Sequence, residues 1–256
     1  MIVIPTAPWA HITFDVLAWL SGMALGMVLY RRYFRDDVER IAAQLATGYF
    51  VALAIGALAG AWLSGSLNTL REAMPKLSHS VAGALAGGIV GVEIHKRMRG
   101  IRGSTGGMFV GSLCLGIVVG RFGCLFAGLP DRTYGTPTTS PWGVDLGDGV
   151  SRHPVQIYES LAMAAFLGVY LLGLRGRRVW ASRYGFYLMC AWYGLQRFAW
   201  EFLKPYPKLI GPLNIFHIIA AGLVIYGRTF TYLGYRDRLR TAECALPVPG
   251  ADHQPL

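Results

Sequence analysis

Apolar residues in this chain come in blocks, not in alternating stripes. Seven blocks, at about residues 12–30, 43–64, 79–94, 107–129, 155–174, 184–203 and 210–227, each approach the ~20 residues needed to cross the hydrocarbon core of a bilayer. The pattern predicts an all-α integral membrane protein with about seven transmembrane helices. They form one domain over residues 1–240, followed by a tail at 241–256 whose Pro247, Pro249, Gly250 and Pro255 predict disorder. The third block is short and reads Gly83-Ala84-Leu85-Ala86-Gly87-Gly88-Ile89-Val90-Gly91. Small residues at this spacing let helices approach closely, and Gly116 and Gly120 repeat the idea in the fourth block.

Composition agrees: 54% of residues are hydrophobic and only 15% charged, with a mean hydropathy of +0.41. A soluble domain of 256 residues rarely reads this way. The net charge of +10 raises nucleic acid as a partner, but the positions of the charges argue against it. Sixteen of the 24 Lys and Arg follow the first, third, fifth and seventh blocks, and the opposite loops carry only six: Arg71, Lys76, Arg132, Arg152, Lys204 and Lys208. The positive-inside rule then predicts an N-terminus outside and a C-terminus in the cytoplasm. Residues 1–11 contain no Lys or Arg, so the first helix is expected to be retained rather than removed as a signal peptide. The four cysteines (Cys114, Cys124, Cys190 and Cys244) show neither metal-ligand spacing nor a disulfide framework, and no cofactor or metal is expected.

This topology isolates two basic residues, Arg121 and Arg197, inside predicted helices. A charge in hydrocarbon costs at least ~2.5 kcal/mol on insertion scales, so it faces a protein interior or a water-filled cavity. Tyr193, Arg197 and Glu201 recur every four residues and share one side of a helix. On the same outer half of the membrane lie Arg121 with Cys124, and the start of the fifth helix, Arg152-His153-Pro154-Val155-Gln156-Ile157-Tyr158-Glu159. Two readings of the arginines stand. Each pairs with an intramembrane carboxylate such as Glu159 or Glu201, or one or both bind a lipid phosphate. Two guanidinium forks on separate helices at one depth favour phosphate. His153 is either a helix-start residue before Pro154 or a proton carrier or phosphate donor. Cys124 is either a small packing residue, the commoner case, or a thiol activated by Arg121. The longest outer loop, Pro130 to His153, carries Asp131, Asp145 and Asp148 and is long enough to suggest function. His79, His95 and His217 occur singly and are assigned no chemistry.

These segments, in this order, resemble the bacterial prolipoprotein diacylglyceryl transferases. Gly120-Arg121-Phe122-Gly123, followed by Gly128 and Tyr134-Gly135, resembles that family's glycine-arginine signature. Pro141-Trp142-Gly143-Val144 and the run from Arg152 to Glu159 resemble the loop and helix start that follow it. Tyr193-Gly194-Leu195-Gln196-Arg197-Phe198-Ala199-Trp200-Glu201 resembles its late helix. There are departures. Ala86 stands where the family has a third-helix histidine, thought to be catalytic. Cys124 and Ala127 replace asparagines, and a glutamate becomes Leu129 or, in a shifted loop, Asp131. Trp19 stands for a tyrosine.

The resemblance implies transfer of a diacylglyceryl group from phosphatidylglycerol to a lipoprotein-precursor cysteine, or a related acceptor, releasing glycerol 1-phosphate. It places the protein in the bacterial cytoplasmic (inner) membrane as a multi-pass enzyme. Arg121 and Arg197 would hold the phosphate, Glu201 would position Arg197, and Tyr193 would donate a hydrogen bond. His153 or Glu159 would take over from the absent histidine. Gly120, Cys124, Gly135, Gln156 and Tyr158 would line the substrate site. Expected partners are phosphatidylglycerol or another anionic phospholipid and lipoprotein precursors, with no nucleic acid. Ala86 and Cys124 favour the alternative of a non-catalytic lipid-binding or lipid-translocating protein on the same scaffold. A small-solute transporter would show paired repeats and broken helices, and no convincing pair is present.

Overall fold

The computed structural model describes residues 2–42, 47–69, 77–101 and 103–244. The chain is built from helices: α1 (Ala10–Leu29), α2 (Arg35–Ala42), α3 (Thr47–Thr69), α4 (Val81–Arg99), α5 (Val110–Ala127), α6 (Val155–Arg175), α7 (Gly185–Glu201) and α8 (Ile215–Cys244). Among the described residues, five helical segments, 10–34, 47–69, 107–127, 155–175 and 215–240, are long and apolar enough to cross a membrane. The other two long helices fall short for visible reasons. α4 ends in Glu93, Lys96, Arg97 and Arg99, and α7 has 17 residues, among them Arg197 and Glu201. Large apolar side chains such as Trp19, Leu58, Leu161, Leu172, Leu195 and Ile225 cover the outside. An outer surface this greasy belongs in lipid.

The helix ends differ from the predicted ones where helix outlasts hydropathy. α8 was expected to stop near residue 227 but runs to Cys244 through Arg228, Arg236 and Arg240. Thr241–Cys244 are therefore the end of a helix and not part of a disordered tail; residues 245–256 lie outside the described residues. Similarly, the basic stretch after α1 continues as a π-helical turn, Tyr30–Phe34, into α2. Hydropathy marks where lipid ends, and neither segment contains the proline that would end the helix.

Packing pairs α1 with α5, α3 with α4, α5 with α6, and α7 with α8. Leu29, Val110, Cys114, Met163, Tyr170, Met189, Tyr193 and Leu223 form the main core. The expected close approach of the third block exists. A Cβ added at Gly87 would lie 2.8 Å from the Cα of Gly60, so α3 and α4 touch backbone to backbone. Gly116 and Gly120 do not act this way, since a Cβ at either would have only Ala18, at 3.9 Å, as neighbour. On α5 the tight points against α1 are Gly111, where a Cβ would lie 2.3 Å from Leu29 Cδ1, and Gly123, where it would lie 2.7 Å from that of Phe14.

A two-residue strand, β1 (Ile2–Val3), pairs in parallel with β2 (Val144–Asp145) in the long loop between α5 and α6. This fastens the chain's first residues to the end of the bundle where α5 finishes and α6 begins. The α3–α4 contact makes a test. Gly87→Ala should destabilise the protein by ~1–3 kcal/mol through overpacking, whereas Gly222→Ala, which meets nothing within 4 Å, should be neutral or mildly stabilising. Melting temperatures of the two variants in detergent will separate them.

Candidate active site

α5 ends, α6 starts, α7 ends and α8 starts at one end of the bundle, and their polar residues meet there. Glu159 on α6 is the hub. Its Oε2 lies 2.6 Å from Nε of Arg121 on α5. Its Oε1 lies 2.5 Å from Nη1 of Arg197 on α7 and 2.8 Å from Nζ of Lys204, just past α7. Glu201, one turn beyond Arg197, sits 3.2 Å from that residue's Nε and 3.9 Å from Lys204 Nζ. Asn214 donates to Glu201 Oε1 over 3.0 Å, while its own Oδ1 accepts from the backbone of Phe216 and His217 and so caps α8.

All five charged side chains are buried. Three cations face two carboxylates, so the cluster carries one excess positive charge. Both pairings foreseen for the arginines, with Glu159 and with Glu201, occur here. They leave the phosphate reading open, because the carboxylates do not neutralise the cations. Lys204 is the member that sequence reasoning missed. It counted as an outer-loop charge, yet it is 1% exposed. The signal was its position three residues after Glu201, one turn on along the same face. Burial first, and then the neighbouring Arg197, push its pKa down from 10.5 to about 8, against the pull of Glu159 and Glu201.

The remaining candidates divide. Tyr193 is buried one turn before Arg197, and its hydroxyl has no hydrogen-bond partner among the described residues; the same is true of the Gln196 amide and Trp200 Nε1 on the same helix. Cys124 accepts a long hydrogen bond, 3.8 Å, from Arg121 Nη1. His153, by contrast, faces Tyr158, with Nδ1 3.4 Å from its hydroxyl, and no ion pair joins it to the arginines among the described residues. Tyr158 accepts from Trp142 Nε1 at 2.8 Å and packs beside Trp200. Gln156 is buried and reaches Thr133 at 3.4 Å. Gly135 packs so closely on the His153 segment that a Cβ would collide with it. At Gly120 there is room for a side chain. Ala86 packs against the main core.

Fold and site together define an integral membrane protein with a charge-paired centre buried among its helices. The chain belongs to the prolipoprotein diacylglyceryl transferase family, a family of transferases, whose model matches residues 10–233. A phosphatidylglycerol–prolipoprotein diacylglyceryl transferase of Geobacter sulfurreducens is 28% identical over 218 residues, covering 80% of this chain and 81% of the relative. Proteins of the same name from Solidesulfovibrio magneticus and Polynucleobacter necessarius are 35% and 36% identical, over 44% and 39% of this chain and 44% and 37% of their own lengths. No solved structure matches the chain.

The hub makes its own prediction. Glu159→Gln leaves three buried cations without their shared counter-charge and should cost ~3–5 kcal/mol, as breaking a buried ion pair does. Thermal unfolding in detergent measures it, with Tyr158→Phe, which lies outside the cluster, as the mild comparison.

Proposed function

We propose that this protein transfers a diacylglyceryl group from phosphatidylglycerol to a cysteine thiol of a lipoprotein precursor, or to a related acceptor, at the outer face of the bacterial cytoplasmic membrane. The observation that carries the reading is the excess positive charge of the Arg121–Glu159–Arg197–Glu201–Lys204 cluster. A site with three cations and two carboxylates, shielded from water, is matched to one phosphate. Seven spans with the N-terminus outside complete the reading: α4 and α7 cross with the five more apolar helices, and the cluster then lies at the outer end.

An apolar cavity of about 230 Å³ supports entry of a lipid. Leu53 of α3 and Leu85 and Ile89 of α4 face Leu113 and Ile117 of α5 across it. Leu113, Ile117 and Arg121 recur every four residues on α5, so the wall of the cavity continues on one helix face to the cluster. An acyl chain in the cavity would leave its phosphate near Arg121.

In the reaction the thiol sulfur bonds to the terminal glyceryl carbon, the bond from that carbon to the phosphate oxygen breaks, and glycerol phosphate leaves. Arg121, Arg197 and Lys204 take the charge that develops on the phosphate. Tyr193, whose hydroxyl has no partner among the described residues, donates a hydrogen bond. Glu159 is bound to three cations, so it holds them in place and is a poor proton acceptor. Of the two groups considered for taking the thiol proton, His153 is the one left. A second reading, a lipid-binding protein without catalysis, is favoured by Ala86 and Cys124, which stand where the family pattern has other residues.

The test is transfer from labelled phosphatidylglycerol to a cysteine peptide in nanodiscs. Arg197→Ala should lower the rate by ~100- to 1,000-fold, the usual consequence of removing one donor from a charge-stabilising site, with helix content unchanged. Full activity in that variant would refute the assignment, and binding of the lipid without turnover in the natural protein would favour the second reading. Lys204 adds a pH dependence. Above about pH 8 it loses its proton and the cluster falls from one excess charge to none. Phosphatidylglycerol affinity should therefore drop as pH rises through that value. In Lys204→Met the drop should vanish, which a fluorescence titration of labelled lipid will reveal.

A further inference from the structure

A second polar cluster lies beside the first, and the proposed reaction does not use it. His11 is at the start of α1, Cys124 is on the last turns of α5, and Asp131 is in the loop that follows. One ligand-type atom from each (a ring nitrogen, the thiol sulfur and a carboxylate oxygen) lies within 4.8 Å of the other two. His11 Nε2 is 3.0 Å from Asp131 Oδ1. Ligands on a tetrahedral ion, each about 2.0–2.3 Å from the metal, stand only slightly farther apart than this.

The surrounding groups are what make the cluster resemble a built site. His11 turns its other nitrogen, Nδ1, to Asp15 Oδ2 at 2.8 Å. A metal-binding histidine is commonly fixed by such a carboxylate on the ring nitrogen away from the metal. Asp131 is supported in the same way. Its second oxygen, Oδ2, accepts from Thr133 Oγ1 at 2.5 Å, and Thr133 is met by the buried Gln156. Arg121 Nη1 points at Cys124 Sγ, where it would stabilise a thiolate. Charge also balances. A divalent ion with the Cys124 thiolate, Asp131 and Asp15 sums to one negative, next to the neighbouring cluster's one positive.

We propose that His11, Cys124 and Asp131 bind a borderline-soft divalent transition-metal ion of the zinc type, held from behind by Asp15 and Thr133. Nitrogen and sulfur among the donors select against magnesium and calcium, which take oxygen. Three protein ligands leave a fourth position open, as in zinc sites that exchange a ligand. The side chain of His11, 32% exposed, gives an ion a way in. The site does not rest on the transferase reading and would stand without it. The competing account is a plain ion-pair tether, with a protonated His11 between two carboxylates, which needs neither a metal nor the sulfur.

Cobalt(II) discriminates between the two accounts. The full-length protein, purified in detergent and stripped with a chelator, should take up one Co²⁺ per chain. It should then show the thiolate-to-cobalt charge-transfer band and the intense visible bands of tetrahedral cobalt, both displaced by Zn²⁺. Cys124→Ser should lose the charge-transfer band and weaken Zn²⁺ binding at least 10-fold. Asp15→Asn should keep the band and bind Zn²⁺ ~10- to 100-fold more weakly. A second measurement uses the unaltered chain, in case Cys124→Ser does not fold. Zn²⁺ should protect Cys124 from alkylation, followed by mass spectrometry of its peptide. A folded protein with no thiolate band, equal Zn²⁺ affinity with and without the Cys124 sulfur, or alkylation indifferent to Zn²⁺ would overturn the site and leave the tether.

Discussion

Three cations buried within a few ångströms of one another repel strongly in a medium that screens charge poorly. In this protein Glu159 is the group that lets them coexist. One carboxylate, on the fifth residue of α6, reaches a guanidinium on α5, a second on α7 and the ammonium just beyond it. The helices at this end of the bundle are thus held at a spacing set by a carboxyl group. Glu201 and Asn214 carry the same lattice to α8. An incomplete cluster would be costly to bury, and a complete one still carries a surplus charge. Positioning the helices and gathering a surplus of positive charge are therefore one arrangement.

The membrane class and most helices were legible in the sequence, because each helix needs a run of apolar residues and those runs are plain. Arg121, Arg197, Glu159 and Glu201 stood out for the converse reason, since charges within such runs demand partners. What sequence could not supply was lateral order. His11 sits near one end of the chain, with nothing around it to mark it from the other isolated histidines, and it reaches Asp131 only because α1 packs on α5. Lys204 was misread because loop membership was taken from hydropathy, while its side chain turns back under α7. The end of α8 was misplaced by the same shortcut. Gly116 and Gly120 show the complementary limit: a small-residue stripe allows close packing without saying which glycine is used.

His153 is the residue whose environment most changes its reading. In sequence it leads a run of polar residues into Glu159 and looks continuous with the charged centre. In space Pro154 and the helix start turn it toward Tyr158, which Trp142 also meets, while Gln156 and Glu159 turn inward. The period of the helix separates one contiguous motif into two neighbourhoods, one of charge pairs and one of aromatic rings.

The pairing of β1 with β2 has a consequence for how the molecule is assembled. Ile2 and Val3 bond to a strand that is synthesised only after four long helices have followed them. Until then the first residues have no partner, and the loop that carries Asp131 and Val144 has no template. The strand pair therefore closes late, and closing it ties the segment ahead of α1 to the loop between α5 and α6. A bulky fusion ahead of Ile2 would thus be felt far along the sequence, at the loop between α5 and α6, rather than in the helix it precedes.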